Sequence, residues 1–181
     1  MMRYKEMLAL LRKGQIDVEN FDAKSKKTLQ QLYSEVRGRD VVLIRDKNTG
    51  HIIRFSRSVR VLITVESYKY KLLEIARQYQ DQIVYKTQSW SVSETRKIGE
   101  PSEEAAVRGL YEELRLCVKP DTLVKLHFLE ISPHRSSVYN GLWSYSESDS
   151  FKLNLDKMPW KEPLRIVEDF GVKLHLKWVR G

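Results

Sequence analysis

One cysteine, Cys117, stands among 181 residues. A lone thiol excludes an intrachain disulfide and any zinc site built from several thiolates, and it points to a reducing compartment. The four histidines do not supply a zinc site either, since no HxxxH or CxxC spacing occurs. No uncharged apolar run approaches the roughly 20 residues that a membrane-spanning helix needs. The N-terminus, Met1-Met2-Arg3-Tyr4-Lys5-Glu6, lacks the apolar stretch and small-residue cleavage site of a signal peptide. Glu6, Asp17 and Glu19 come too early for an organellar transit peptide. The expected location is therefore intracellular, the cytoplasm before an organelle, with no membrane as a partner. Internal repeats, coiled-coil heptads and low-complexity tracts are also missing.

Positive charge is abundant. The chain carries 32 Lys+Arg against 24 Asp+Glu, a formal +8. Residues 1–40 hold 9 basic and 6 acidic side chains, residues 41–100 hold 11 and 6, and residues 101–181 hold 12 and 12. The excess thus lies in the first hundred residues. A basic half beside a neutral half suits a polyanionic partner, and it also serves solubility. With 41% hydrophobic and 31% charged residues, a globular fold is expected.

Hydrophobic spacing divides the chain at about residue 40. Tyr4, Met7, Leu8 and Leu11 recur at helical spacing and stop at Gly14; Leu29, Leu32, Tyr33 and Val36 do the same and stop at Gly38. Residues 1–39 are expected to form a helical extension. Its amphipathic helices, about Arg3–Lys13 and Ser25–Arg37, would pack on the main domain or on a protein partner. From Asp40 the period becomes that of strands. Val41–Ile44 and His51–Phe55 flank Asn48-Thr49-Gly50, which has hairpin-turn chemistry. Val59–Val65, Leu123–Ile131, Ser137–Ser146 and Val172–Val179 read as further strands, and Tyr70–Ala76 fits either type. A helix is expected over Ser102–Leu116, with Ala106, Val107, Leu110 and Leu114 toward the core and Glu112 and Glu113 accessible. Strands around one central helix give an α+β domain over residues 40–181.

The chemistry concentrates in that helix. Glu104, Arg108 and Glu112 follow one another at i+4, so the arginine can brace carboxylates on either side. The neighbouring carboxylates of Glu112 and Glu113 can ligate a hard divalent cation through oxygen; a solvated acidic face is the plain alternative. The order of residues is more specific. Glu100, Arg108, Leu110, Glu112, Glu113 and Leu116 stand where the pattern G-x5-E-x7-R-E-U-x-E-E-x-G-U asks for Glu, Arg, aliphatic, Glu, Glu and aliphatic. The segment resembles the Nudix box, and Val59–Val65, Leu72–Tyr79 and Trp90 resemble the layout around it.

The resemblance implies a mixed-sheet sandwich with helices. It also implies a magnesium- or manganese-dependent hydrolase of nucleoside diphosphate derivatives, with Glu100, Arg108, Glu112 and Glu113 catalytic and the last two holding metal. Three positions depart from the pattern: Glu94 replaces the first glycine, Gly109 the glutamate after the arginine, and Arg115 the last glycine. Family enzymes use that glutamate as a metal ligand and often as the base, and losing a positioned base costs about 10²–10⁴ in rate. Glu130, Glu147 and Asp149 are substitute bases on paper, though each reads as a surface acid. Helix propensity alone would favour glutamate over glycine at position 109. Without a terminal glycine the helix is expected to end in another way than a left-handed turn, with the Arg115 charge near Glu112.

Two functions follow. One is a protein with an eroded catalytic box that binds a nucleoside diphosphate derivative or RNA with weak or no hydrolysis. The other is an active pyrophosphohydrolase. A scaffold subunit docking through the N-terminal helices is a third reading, and a homodimer is left open. For binding, Arg45, Arg54, Arg57 and Arg60 with Phe55 form a basic ribbon suited to phosphates and a stacked base. His134 and Arg135 sit in an expected loop, Ser132–Tyr139. Tyr139, Trp143, Tyr145 and Trp160 can wall a base pocket or fill the core. Cys117 is expected as a small buried hydrophobe.

Overall fold

The computed structural model describes residues 2–65, 69–79, 82–85, 90–136, 138–160, 164–169 and 172–180. Three helices come first: α1 (Tyr4–Lys13), α2 (Phe21–Lys24) and α3 (Leu29–Arg37). α1 ends at Gly14 as its spacing requires. α3 starts later than Ser25 because Thr28 caps it. The Thr28 hydroxyl accepts from the Gln31 amide at 3.2 Å, and the Gln31 side chain accepts from the Thr28 amide at 2.8 Å.

The strands β1 (Val41–Arg45) and β2 (Ile52–Val65) form the expected hairpin, with Ile44 opposite Ile53 and Val42 opposite Phe55. β2 is continuous through Arg57 to Val65, so two expected strands are one. Then follow β3 (Tyr70–Tyr79), β4 (Gln82–Tyr85), β5 (Val92–Arg96), α4 (Ser102–Leu114), a 3-10 turn at Pro120–Thr122, β6 (Leu123–Arg135), β7 (Trp143–Asn154), β8 (Leu164–Asp169) and β9 (Val172–Arg180). Hydrogen-bonded neighbours run β6-β7-β2-β3-β9-β8, with β1 and β5 also on β2 and β4 on β3. The fold is α+β, a mixed sheet with helices, as expected.

Other details differ from the sequence expectation as well. Ser132–Arg135 extends β6 instead of opening a loop, and β7 begins only at Trp143. Ser137, the first residue of the strand expected there, lies outside the described residues.

The chain forms two compact units. The first comprises Met1–Arg57, Thr95–Gly99 and Glu130–Glu147; the second comprises Ser58–Glu94, Glu100–Leu129 and Ser148–Gly181. These units do not divide at residue 39. Met7, Leu11 and Leu32 of the helices share a core with Leu43 and Ile52 of the hairpin and with Tyr139 and Leu142. Alternating β2 residues Val59, Val61, Ile63 and Val65 form the other core with Leu72, Phe151 and the α4 side chains Ala105, Ala106, Leu110 and Leu114. Inside that core Ser91 joins β2 to β3. Its hydroxyl accepts from the Ile63 amide at 2.7 Å and donates to the Leu72 carbonyl at 2.5 Å.

Candidate functional site

α4 buries the side it was expected to bury, except that Val107 is only half-covered. Its polar side is organised by Arg108, which forks onto Glu100: Nε donates to Oε1 at 3.0 Å and Nη2 to Oε2 at 3.1 Å. Nη1 donates to Glu112 Oε2 at 3.2 Å and lies 3.2 Å from Glu94 Oε1. A planar guanidinium thus answers three carboxylates, the geometry that suits arginine and not lysine. The hydrogen bonds to Glu100 lift the Arg108 proton affinity above its ordinary value against the effect of burial, and the Glu94 charge adds to this.

Gly109 lies beneath Glu94. A β-carbon added to this glycine would stand 2.8 Å from Glu94 Cβ and 3.2 Å from Val92 Cγ1. The two exchanged positions of the motif, glutamate for glycine and glycine for glutamate, are therefore neighbours in space. Only glycine lets the helix come this close to β5.

Three expectations for this segment are overturned. Glu113 is buried, at 4% exposure, because it shares a side of the helix with Gly109 and Leu110. Arg115 keeps the left-handed conformation, with φ 58° and ψ 29°, and its amide bonds to the Tyr111 carbonyl. Its guanidinium lies 5.5 Å from the Tyr111 ring centre, and Glu112 is held by Arg108. Cys117 is exposed, since it follows the end of the helix instead of lying on its apolar side.

Magnesium takes one or two protein carboxylates and completes its shell with waters and substrate phosphates. Here Glu94, Glu100 and Glu112 turn toward Arg108, Glu113 is buried, and position 109 has no side chain. Among the described residues no three His, Cys, Asp or Glu side chains come together as a metal site. As arranged, the carboxylates of Glu94, Glu100 and Glu112 are turned to a guanidinium instead of to an open cation position. The substitute bases are engaged as well. Asp149 is buried and 2.8 Å from Lys125, and Glu147 is 2.9 Å from Arg57. Glu130 hydrogen-bonds Tyr145, whose hydroxyl is pushed up to about 12, mainly by that bond.

No protein-family profile matches the chain, and no curated protein does. In structure it is similar to the Escherichia coli dihydroneopterin triphosphate pyrophosphohydrolase, with 20% identity over 68% of this chain and 80% of that one, at a TM-score of 0.45. It is similar to a MutT/nudix family protein from Enterococcus faecalis, with 12% identity over 90% of this chain and 54% of that one, at 0.46. A third is the NUDIX domain of Shewanella oneidensis NrtR in complex with ADP ribose, with 12% identity over 70% and 71%, at 0.37.

The expected ligand residues separate by strand parity. His51, just before β2, and Ile53 and Phe55 of β2 all line cavities on one sheet face in the first unit. Arg54 points to the other side: its Nη2 is 2.8 Å from Glu35 of α3, and its guanidinium is 5.7 Å from the Tyr139 ring centre. Burial pushes the Glu35 carboxyl up, but the Lys27 hydrogen bond and the Arg54 charge outweigh it and leave Glu35 below its usual value. Tyr139 is buried and donates its hydroxyl to Glu35 at 2.9 Å.

Arg45 lies by the turn at Gly50, and Arg60 is half-buried in the second unit. His134 is exposed, with Nδ1 3.1 Å from the Ser132 carbonyl. Arg135 is exposed, 6.0 Å from the Trp143 ring centre. Trp160 is buried against Trp178. Trp143 and Tyr145 of β7 join the β2 face: Trp143 stacks on His51 at 5.1 Å and Tyr145 on Phe55 at 5.3 Å.

Proposed function

We propose that this chain is a binding protein for a nucleoside diphosphate derivative or RNA, with weak or no hydrolysis. The close packing of Gly109 under Glu94 supports this reading most directly. The position from which the motif would supply a metal-binding carboxylate has no room for a β-carbon. Two carboxylates of the motif, Glu100 and Glu112, and the Glu94 that replaces its first glycine serve an internal purpose instead. Glu94, Glu100 and Glu112 surround Arg108 and fix α4 to β5 and to the loop before the helix. Binding of a phosphorylated nucleoside is the part of the resemblance that survives, with no catalytic step through magnesium or manganese.

Purified protein with either metal tests the reading on ADP-ribose, dinucleoside polyphosphates and nucleoside diphosphate sugars. No turnover above background is expected. Turnover of about one per second or faster, the usual enzymatic range, abolished by Glu113→Gln, would overturn it.

A further inference from the structure

The sheet face carrying His51 and Phe55 bears two adjoining cavities in the first unit. The larger, of about 370 Å³, is walled by Ile44, Phe55, Tyr145 and Glu147. The smaller, of about 180 Å³, is walled by Asp46, Thr49, His51 and Trp143. Ile53 and Pro133 line both and separate them. The apolar side chains remain open to solvent: Ile44 is 47% exposed, and Phe55, Trp143 and Tyr145 are half-buried. His51 and Phe55 are four residues apart in the chain, whereas their partners Trp143 and Tyr145 are two residues apart on β7, about 7 Å.

Cations border the rings. Arg135 lies over Trp143, and Arg57 lies 5.3 Å from the Phe55 ring centre. Arg45 and Lys13 gather beside His51 at the hairpin end, toward α1. The two acids in the cavities are engaged: Glu147 by Arg57, and Asp46 by the Asn48 amide and the Thr49 hydroxyl.

The charge of the whole chain is concentrated in this unit. Its three segments hold 16 Lys+Arg against 9 Asp+Glu, a net +7 of the chain's +8; the second unit holds 16 against 15. An apolar, ring-lined face on the strongly basic unit combines what single-stranded nucleic acid requires: π-faces for bases and cations for phosphates. We infer that this face binds single-stranded nucleic acid, an inference that rests on the binding role proposed above. Bases lodge in the two cavities against the pairs His51–Trp143 and Phe55–Tyr145, and Arg57 and Arg135 meet the phosphates.

Fluorescence anisotropy of the full chain with labelled oligouridine and oligodeoxyuridine of about 12 nucleotides tests this, within the range that a comparable single-strand site covers. Salt is varied from about 50 to 200 mM, and two phosphate contacts should give a slope of log K on log salt of roughly −1.4. Arg135→Gln should flatten the slope by about 0.7. Trp143→Ala should weaken binding at least about fivefold with the slope unchanged, while Trp143→Phe, which keeps a ring, should retain most of the affinity. Circular dichroism melting of each variant separates lost contact from lost fold. Arg54→Gln, on the opposite side, should leave the slope as it is.

Tighter binding of the RNA oligomer would identify a 2′-hydroxyl contact, and equal binding would identify stacking and charge alone. Absent binding of both oligomers at the lowest salt, or an unaffected Trp143→Ala in a folded protein, would overturn the proposal and assign the face to a protein partner. That failure leaves the hydrolysis test untouched, because turnover is read at α4 and binding at the sheet of the other unit.

Discussion

Glu94 occupies the space over the Gly109 α-carbon, so of these two positions only one at a time can carry a β-carbon. Gly109→Glu should therefore destabilise the protein by about 1–3 kcal/mol, the usual cost of overpacking, despite the better helix propensity of glutamate. Glu94→Ala should not rescue it, because the clash is with the β-carbon itself. Glu94→Gly should. Denaturant melts of the two single variants and the pair should show a coupling of about 1 kcal/mol or more. Additive effects would contradict the packing.

Arg108 is the second test. The guanidinium is 23% exposed, and Glu94, Glu100 and Glu112 are 20%, 16% and 39% exposed. Arg108→Met leaves three carboxylates facing one another without a counter-charge. The expected loss is about 2–3 kcal/mol, below the cost of breaking a fully buried pair because water reaches this one. Arg108→Lys should recover less than half, since an ammonium cannot fork onto Glu100. Equal stability of the lysine variant and the parent would show that the fork contributes little.

Arg115 holds a left-handed backbone conformation at φ 58°. This geometry disfavours any residue with a β-carbon by about 1–2 kcal/mol, while glycine gives back about 0.5–1 through its looser unfolded chain. Arg115→Gly is thus expected to raise stability by about 0.5–1 kcal/mol. Arg115→Ala, which keeps the β-carbon and loses the contact with Tyr111, should give no gain. Thermal melts compare the three proteins.

Glu35 sets a pH dependence. Its carboxyl is held below the ordinary value of 4.5 in the folded chain by Lys27 and Arg54, which overcome burial. A depressed carboxyl stabilises the fold above its unfolded value and loses that contribution as pH falls through the folded one. Melting temperature should accordingly fall on acidification below about pH 4.5, with Glu35→Gln showing a shallower decline. At neutral pH the Glu35→Gln variant should be weaker by about 1–3 kcal/mol, since Arg54 and the Tyr139 hydroxyl lose their charged partner. An identical acid profile would exclude Glu35 as the titrating group.

Elements whose hydrophobic period is local were legible in the sequence: α1, α3, the β1–β2 hairpin, α4 and β9. Less legible were the elements decided by distant partners. β5 is a polar five-residue strand, Val92-Ser93-Glu94-Thr95-Arg96, which pairs with β2 and carries no periodic signal of its own. The extension of β6 over Ser132–Arg135 opposes the turn preference of Ser-Pro. At the motif, the residue types were readable and their directions were not. Arg54 and Phe55 are neighbours in sequence and point to opposite sides. Glu112 and Glu113 are likewise adjacent, yet one reaches Arg108 and the other is buried. The Glu94–Gly109 exchange was visible as two departures; their spatial relation depends on the approach of α4 to β5.

The first unit is gathered from three stretches of chain separated by long intervals, which makes time part of its assembly. Met7, Leu11 and Leu32 emerge early in synthesis, whereas Tyr139 and Leu142, which complete the same core, follow about a hundred residues later. At roughly 5–20 residues per second, the helices wait on the order of 5–20 s beside the ribosome with that side of their core incomplete. A nascent chain halted before residue 130 should accordingly be a client for chaperones that hold exposed apolar helices, while the released full-length chain should not.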